Sequence, residues 1–261
     1  MPNAFRLDER VAVVTGAGRG IGAAIATAYA EAGADVVLVA RTREQLATTA
    51  GRVRASGSRA LAVPCDIANL AALSVVVEQT IAEMGRLDIV VNNAGGASPR
   101  SFLDTTAADL EEAFHFNVTA GFELIKHAVP YLLASGQGSI INVTSVFGRV
   151  AGRGLLVYGT VKAALAHLTR LLAADLSPRV RVNAIAPGVI ETDALKAALT
   201  TEIRSHVVAA TPLRRLGTVD DVAAAAVWLA SPAAGYVTGK VIEVDGGAQG
   251  PALPSELPDL D

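Results

Sequence analysis

Tyr158 and Lys162 stand four positions apart in Val157–Leu176, a stretch whose apolar spacing predicts a helix, so both side chains leave one helical face. A phenol can give or take a proton, but with a pKa of about 10 it is a poor base near neutrality unless a cation lies close. An ammonium one turn away meets that need. Alone the pair carries little weight, because a core-packed tyrosine beside a solvated lysine is common on helices. Ser145 adds to it by following the β-branched run Ser139–Thr144 directly, at the carboxyl edge where open α/β sheets bind ligands. A turn or helix cap is its plainer role. Asn92-Asn93-Ala94-Gly95 closes another run at the same edge and is also compatible with a turn. Asn117 falls inside a predicted helix, where asparagine has poor propensity and needs a reason.

A second group of residues suits a phosphate. Val11–Thr15 runs into Gly16-Ala17-Gly18-Arg19-Gly20-Ile21-Gly22, and a helical pattern, Ala23–Glu31, follows at once. Glycines let a backbone approach a pyrophosphate closely, and a helix N-terminus presents unpaired N–H groups to an anion. The spacing is G-x-x-x-G-x-G, and a plain strand-to-helix junction is the lesser alternative, since strand, glycine turn and helix follow in the right order. At the end of the second apolar run, where an acid would favour a free ribose 2′-hydroxyl, the chain places Arg41. Asp35 lies at the opposite end of that run. Arg41 and Arg19 can converge on a 2′-phosphate, which favours NADP(H) over NAD(H), or both can be solvated surface arginines.

The elements that must hold these residues alternate in type. Seven β-branched runs, Val11–Thr15, Val36–Ala40, Ala60–Pro64, Asp88–Asn92, Ser139–Thr144, Val180–Ala186 and Lys240–Val244, are apolar almost throughout, as expected of strands covered on both faces. Between them lie helical patterns at Arg43–Ala55, Leu70–Met84, Ala107–Leu133, Val157–Leu176 and Val219–Leu229. This predicts one doubly wound α/β domain over residues 1–250, with a seven-stranded parallel sheet. The longest insertion, 188–212, is the natural substrate lid, and its stripe of Leu195, Leu199, Ile203, Val207 and Val208 can line a pocket or simply pack a short helix pair. Residues 251–261, with three prolines and several acids, form an irregular or partner-docked tail.

Composition removes other classes. The chain has 261 residues, 51% of them hydrophobic, and a net charge of −3 with acids and bases interspersed, so the concentrated positive field that nucleic acid demands is missing. Cys65 is the only cysteine, which rules out an intramolecular disulfide and leaves the histidines without thiolate partners for zinc. Neither a signal peptide nor a membrane-length apolar stretch is visible, so a cytoplasmic location is expected.

Taken together, Thr15-Gly16-x-x-x-Gly20-x-Gly22, Asn92-Asn93-Ala94-Gly95, Asn117, Ser145, Tyr158-x-x-x-Lys162 and Pro187-Gly188 resemble the short-chain dehydrogenase/reductase family, in its order and spacing over about residues 7–249. The resemblance implies a Rossmann-type oxidoreductase that moves a hydride between a nicotinamide dinucleotide and a secondary alcohol or ketone. It implies that Tyr158 exchanges a proton with the substrate oxygen, and that Lys162 lowers the phenol's pKa and holds the nicotinamide ribose. Ser145 would hydrogen-bond the carbonyl, and Asn117 would anchor a water that relays protons from Lys162. Cofactor contacts are implied at Gly16, Arg19, Gly20, Ile21, Gly22 and Arg41, near adenine at Asp66 and Ile67, at Asn93, and on the nicotinamide side at Ile190 and Thr192. Gly239–Gly247 is similar to the family's final strand, which implies a homotetramer. One departure is visible, since Gly159-Thr160-Val161 follows the tyrosine where many relatives carry alanine or serine.

Asn92–Gly96 with Pro99, Thr192–Lys196, Glu202-Ile203 and Thr211–Gly217 further resemble bacterial 7α-hydroxysteroid dehydrogenases, which implies a bulky apolar substrate. Two other functions remain open. A 3-oxoacyl-[acyl-carrier-protein] reductase should offer bases for its acidic carrier, but Leu133–Gly138 has none and only Arg179 remains. A non-catalytic NADP(H) sensor could keep the fold, though it would not need Tyr158 or Lys162.

Overall fold

The structure is a computed structural model that describes residues 2–192, 195–196, 199–251 and 253. Its seven strands are β1 (Val11–Thr15), β2 (Asp35–Ala40), β3 (Ala60–Pro64), β4 (Ile89–Asn92), β5 (Gly138–Val143), β6 (Val180–Pro187) and β7 (Val241–Val244). They form one sheet in the order β3-β2-β1-β4-β5-β6-β7, every pairing parallel. Successive side chains of a strand face opposite sides. In β1, Ala12 and Val14 therefore enter the core under α1 (Gly20–Glu31), α2 (Arg43–Ala55) and α8 (Val219–Ala230), while Val11 and Val13 enter the one under α3 (Ala71–Met84), α5 (Ala120–Ser135) and α6 (Leu156–Leu176). Both faces are covered, which is why the strands read as unbroken apolar runs.

After β3 the chain returns to place β4 against the free side of β1, and it then winds in the opposite direction. A crevice opens outside the carboxyl ends of β1 and β4, the position where doubly wound sheets take ligands. The glycine turn leaves β1 on one side of it, and Asn93–Gly96 leaves β4 on the other.

One predicted helix differs. The expected continuous helix Ala107–Leu133 is α4 (Ala107–Phe114), a π-helical turn (His115–Thr119) and α5. A capping box between Thr106 and Asp109 starts α4. The wider turn inserts extra backbone without breaking the helix, a device frequent at functional sites, and Asn117 lies in it.

The lid stripe divides between the two expected roles. Helix α7 (Thr201–Ala210) buries Val207 against Leu216, with Leu199 and Ile203 packed on that pair, which is ordinary packing. Leu195 alone of the stripe lines the crevice. Asp193 and Ala194 of the lid lie outside the described residues, as does most of the tail. No helix among the described residues is long and apolar enough to cross a membrane.

Candidate active site

The glycine turn is built by hydrogen bonds from β4. Thr15 Oγ1 accepts from the backbone N–H groups of Asn93 (3.0 Å) and Ala94 (3.1 Å), and Asn93 Nδ2 donates to the carbonyls of Thr15 (2.9 Å) and Gly16 (3.4 Å). Gly16 (φ 66°) and Gly20 (φ 58°) need left-handed backbone. Gly22 has a different reason, because a Cβ there would fall 2.3 Å from the Gly16 carbonyl oxygen. Gly16 and Gly20 line the crevice, whereas Gly22 lies beneath the turn and closes helix onto strand. The cradle is thus free of side chains where a pyrophosphate would rest, at the N-terminus of α1.

Two linked hollows flank this turn. One, of about 330 Å³, is lined by Gly16, Arg19, Arg41, Asp66 and Ile67, and also by Thr42, Gln45 and Phe116. Both guanidiniums are exposed and no hydrogen bond or ion pair engages either among the described residues, so they are free to meet an anion. Asp66 caps its own turn through Ala68 N–H (3.1 Å). Thr42 and Gln45 escaped the sequence reasoning, although the start of α2 directly after Arg41 was the available signal.

The other hollow, of about 510 Å³, gathers Ile21, Asn93, Ser145, Tyr158, Lys162, Ile190 and Thr192 from sequence positions far apart. Its apolar wall is Phe147, Leu155, Val189, Leu195 and Leu253. Most of that wall was not foreseen, because the loops that supply it carry no period.

Tyr158 and Lys162 leave the first turns of α6, with the lysine Nζ 5.7 Å from the phenol ring centroid. Lys162 is 3% exposed, donates to the Val143 carbonyl at 3.0 Å, and is pushed down to about 8 by burial. The Tyr158 phenol is raised above its ordinary value, because burial outweighs the opposing hydrogen bond with Ser145. Lys162 therefore does not by itself bring the phenol toward neutrality here, contrary to the expected lowering. Ser145 fills the plainer role considered for it, its Oγ accepting from Phe147 N–H (3.2 Å) to cap a short 3-10 turn, and it also bonds the Tyr158 phenol.

Asn117 owes its place to the loop after β4. Its Oδ1 accepts from Gly96 N–H (2.8 Å), and its Nδ2 donates to the carbonyls of Gly96 and Ala113 (both 2.9 Å). Both side-chain N–H groups are thus spent on clamping, which leaves a water relay to its remaining acceptors. A Cβ on Gly95 would sit 2.6 Å from Asn117 Oδ1 and 2.9 Å from Lys162 Nζ, so only glycine lets the loop pass between them. Gly159 is explained in the same way, its missing Cβ lying 2.9 Å from the Phe147 carbonyl oxygen. By contrast Asn92 is structural, bonding Asn142 Oδ1 (3.0 Å) and the Gly121 carbonyl (3.3 Å). Arg179 donates to the Leu133 carbonyl (2.8 Å).

The donor set and the side-chain-free cradle fit a nicotinamide dinucleotide stretched along both hollows. Ser145→Ala removes one donor from the point where a carbonyl would be polarised, and should lower kcat by about a hundredfold, the scale of a lost oxyanion donor. Steady-state rates check this, and an unchanged rate returns Ser145 to turn formation alone.

Comparison with known proteins agrees with this geometry. Residues 16–249 match the family model described as enoyl-(acyl carrier protein) reductase. An uncharacterised oxidoreductase of Mycobacterium tuberculosis (strain CDC 1551 / Oshkosh) is 54% identical over 258 residues, covering 98% of each chain. The 7α-hydroxysteroid dehydrogenase of Escherichia coli K12 is 41% identical over 244 residues, 93% of this chain and 95% of that one. A solved 7α-hydroxysteroid dehydrogenase, complexed with NADH and 7-oxo glycochenodeoxycholic acid, superposes with a TM-score of 0.92 at 40% identity, over 95% of this chain and 97% of that one.

Proposed function

The chain belongs to the short-chain dehydrogenase/reductase family of oxidoreductases acting on alcohol and ketone groups, and from that premise we propose that it prefers NADP(H) and acts on a bulky apolar substrate of the hydroxysteroid class. One observation carries the reading: Ser145, Tyr158 and Lys162 share a single cleft of about 510 Å³ whose far wall is aliphatic and aromatic. When bound, the dinucleotide supplies or accepts the hydride at the substrate carbon.

In the reducing direction Tyr158 gives its phenolic proton to the carbonyl oxygen as that oxygen becomes a hydroxyl, and in the oxidising direction it takes the proton back. Ser145 donates to the same oxygen and stabilises its developing charge. Lys162 keeps a positive charge beside the phenol and would hold the nicotinamide ribose of a bound dinucleotide, while Asn117 fixes the loop that floors the site. Arg19 and Arg41 would hold the 2′-phosphate, Asp66 and Ile67 the adenine end, and Ile190 and Thr192 the nicotinamide end of the dinucleotide. A tetrameric, cytoplasmic enzyme fits this family.

The solved relative carries NADH, so the choice of NADP(H) rests on this chain's own Arg41. A charge-assisted contact contributes about 1.5–3 kcal/mol, which corresponds to a preference of about tenfold to a hundredfold, less where solvent screens it. Arg41→Asp is expected to reverse the ratio of kcat/KM for NADPH over NADH, with Arg19 retaining some attraction for the phosphate. Equal ratios in the native protein would show that Arg41 serves solvent only. The function as a whole is tested by a coupled screen of hydroxysteroids, acyl thioesters and simple ketones with both cofactors. Turnover of acyl thioesters alone would favour the carrier-linked reductase, and tight NADPH binding without any turnover a sensor.

A further inference from the structure

We infer that His115 is a positioning residue for the purine base of the dinucleotide, acting through the Ala68 backbone on the Asp66 carboxylate. The inference rests on the dinucleotide reading of the hollow at Asp66, and on nothing about the substrate.

His115 opens the π-helical turn, and three consecutive side chains of that turn serve three different places. Asn117 clamps Gly96 in the loop after β4. Phe116 lines the hollow of Arg41 and Asp66 and packs on the core cluster that includes Cys65 and Ile67. His115 crosses to the loop between β3 and α3, where its half-buried ring brings Nε2 to 2.8 Å from the Ala68 carbonyl oxygen. A carbonyl only accepts, so Nε2 carries the hydrogen and donates it.

That bond anchors a loop with few other ties. Ala68 N–H donates to Asp66 Oδ1 at 3.1 Å, and Asn69 N–H donates to the Asp66 carbonyl at 3.0 Å, so the turn is closed on itself. Among the described residues, no other hydrogen bond reaches positions 66–69 from an element distant in sequence. His115 therefore fixes where Ala68 stands, and Ala68 N–H fixes how the Asp66 carboxylate is turned. Its Oδ1 is committed to that N–H, which leaves Oδ2 for a ligand. An ionised carboxylate only accepts hydrogen bonds. It favours the exocyclic amine of adenine and disfavours the carbonyl that replaces this amine in hypoxanthine. How sharply the two bases are told apart depends on the carboxylate's orientation, and so on His115.

The test is fluorescence titration of NADPH and of its hypoxanthine analogue, which keeps the nicotinamide and the 2′-phosphate, so that Arg19 and Arg41 meet the same group in both. The native chain is expected to bind NADPH about tenfold more tightly than the analogue. His115→Leu, which keeps bulk and loses the donor, should shrink that ratio about fivefold. In His115→Gln, whose amide can donate from about the position of Nε2, the ratio should stay within about twofold of native. His115→Asn is too short to reach Ala68 and should lose the ratio as leucine does, which keeps the comparison alive if the leucine variant misfolds. A residue that served only the fold would weaken both dinucleotides alike, so an unchanged ratio in the leucine and asparagine variants overturns the proposal. A native ratio near one, or a glutamine variant that behaves like leucine, overturns it too. Failure of the native chain to bind either dinucleotide would instead remove the cofactor reading itself, whereas intact ratios without turnover of any ketone would remove only the substrate reading and uphold His115.

Discussion

Tyr158→Phe is expected to lower kcat by about 10³-fold while the Kd for NADPH stays within about twofold of the native value. The substitution deletes one oxygen and keeps the ring, which is largely buried on α6 with Lys162 Nζ 5.7 Å from its centroid. The local fold loses only the Ser145 hydrogen bond, worth about 1 kcal/mol, so the variant should remain folded. What it loses is the proton. Burial holds this phenol above its ordinary value, so in the free protein it stays protonated across the neutral range and is set to act as an acid on a ketone. Alcohol oxidation needs the phenolate, and its rate should therefore climb with pH in the native chain. Stopped-flow reduction of a ketone and fluorescence titration of NADPH separate the two quantities. A Phe variant retaining more than about a tenth of the rate would remove Tyr158 from the chemistry.

How much of this was visible in advance depended on periodicity. Val11–Thr15 and Ala60–Pro64 are strands over the limits predicted for them, and Arg43–Ala55 is a helix over its own, because continuous apolar runs and a 3.6-residue stripe each leave a strong local trace. The π-helical turn left almost none, since one widened turn shifts the apolar phase slightly and neither glycine nor proline marks it. Asn117, misplaced by propensity, was its one sign. The catalytic candidates were legible because their types and spacing are unusual, and the cleft does bring Ser145, Tyr158 and Lys162 together. The cleft walls were not. Phe147, Leu155, Val189 and Leu253 come from aperiodic loops, and which of them meet is decided by tertiary ties such as Arg149 to Glu243. Gly22 shows the same limit, being read as a ligand contact when its work is to let α1 close on β1.

Lys162→Met should lower kcat/KM for ketone reduction by about a hundredfold to ten-thousandfold, and it should also raise stability. Both effects come from one buried charge. Desolvation pushes Lys162 from 10.5 to about 8, so at pH 7 it is charged within a dry site, at a cost of about 3 kcal/mol relative to an exposed lysine. Methionine has a similar length and no charge, and it forfeits the bond to the Val143 carbonyl and the ammonium's contact over the Tyr158 ring. The sign of the pH dependence follows from the lowered value. Between about pH 8 and 10.5 the unfolded chain binds more protons at this position than the folded one, so the native protein gains stability from this group as pH rises through that window. The Tm advantage of Lys162→Met should accordingly be largest at pH 7 and nearly gone by about pH 10.5. Activity runs the other way, because the ammonium beside Tyr158 is lost above about pH 8, and native kcat/KM for reduction should fall there with an apparent pKa near 8. That limb should be missing from the methionine variant. Thermal unfolding and pH–rate profiles of both proteins make the comparison, and an alkaline limb that survives in Lys162→Met would assign it to another group.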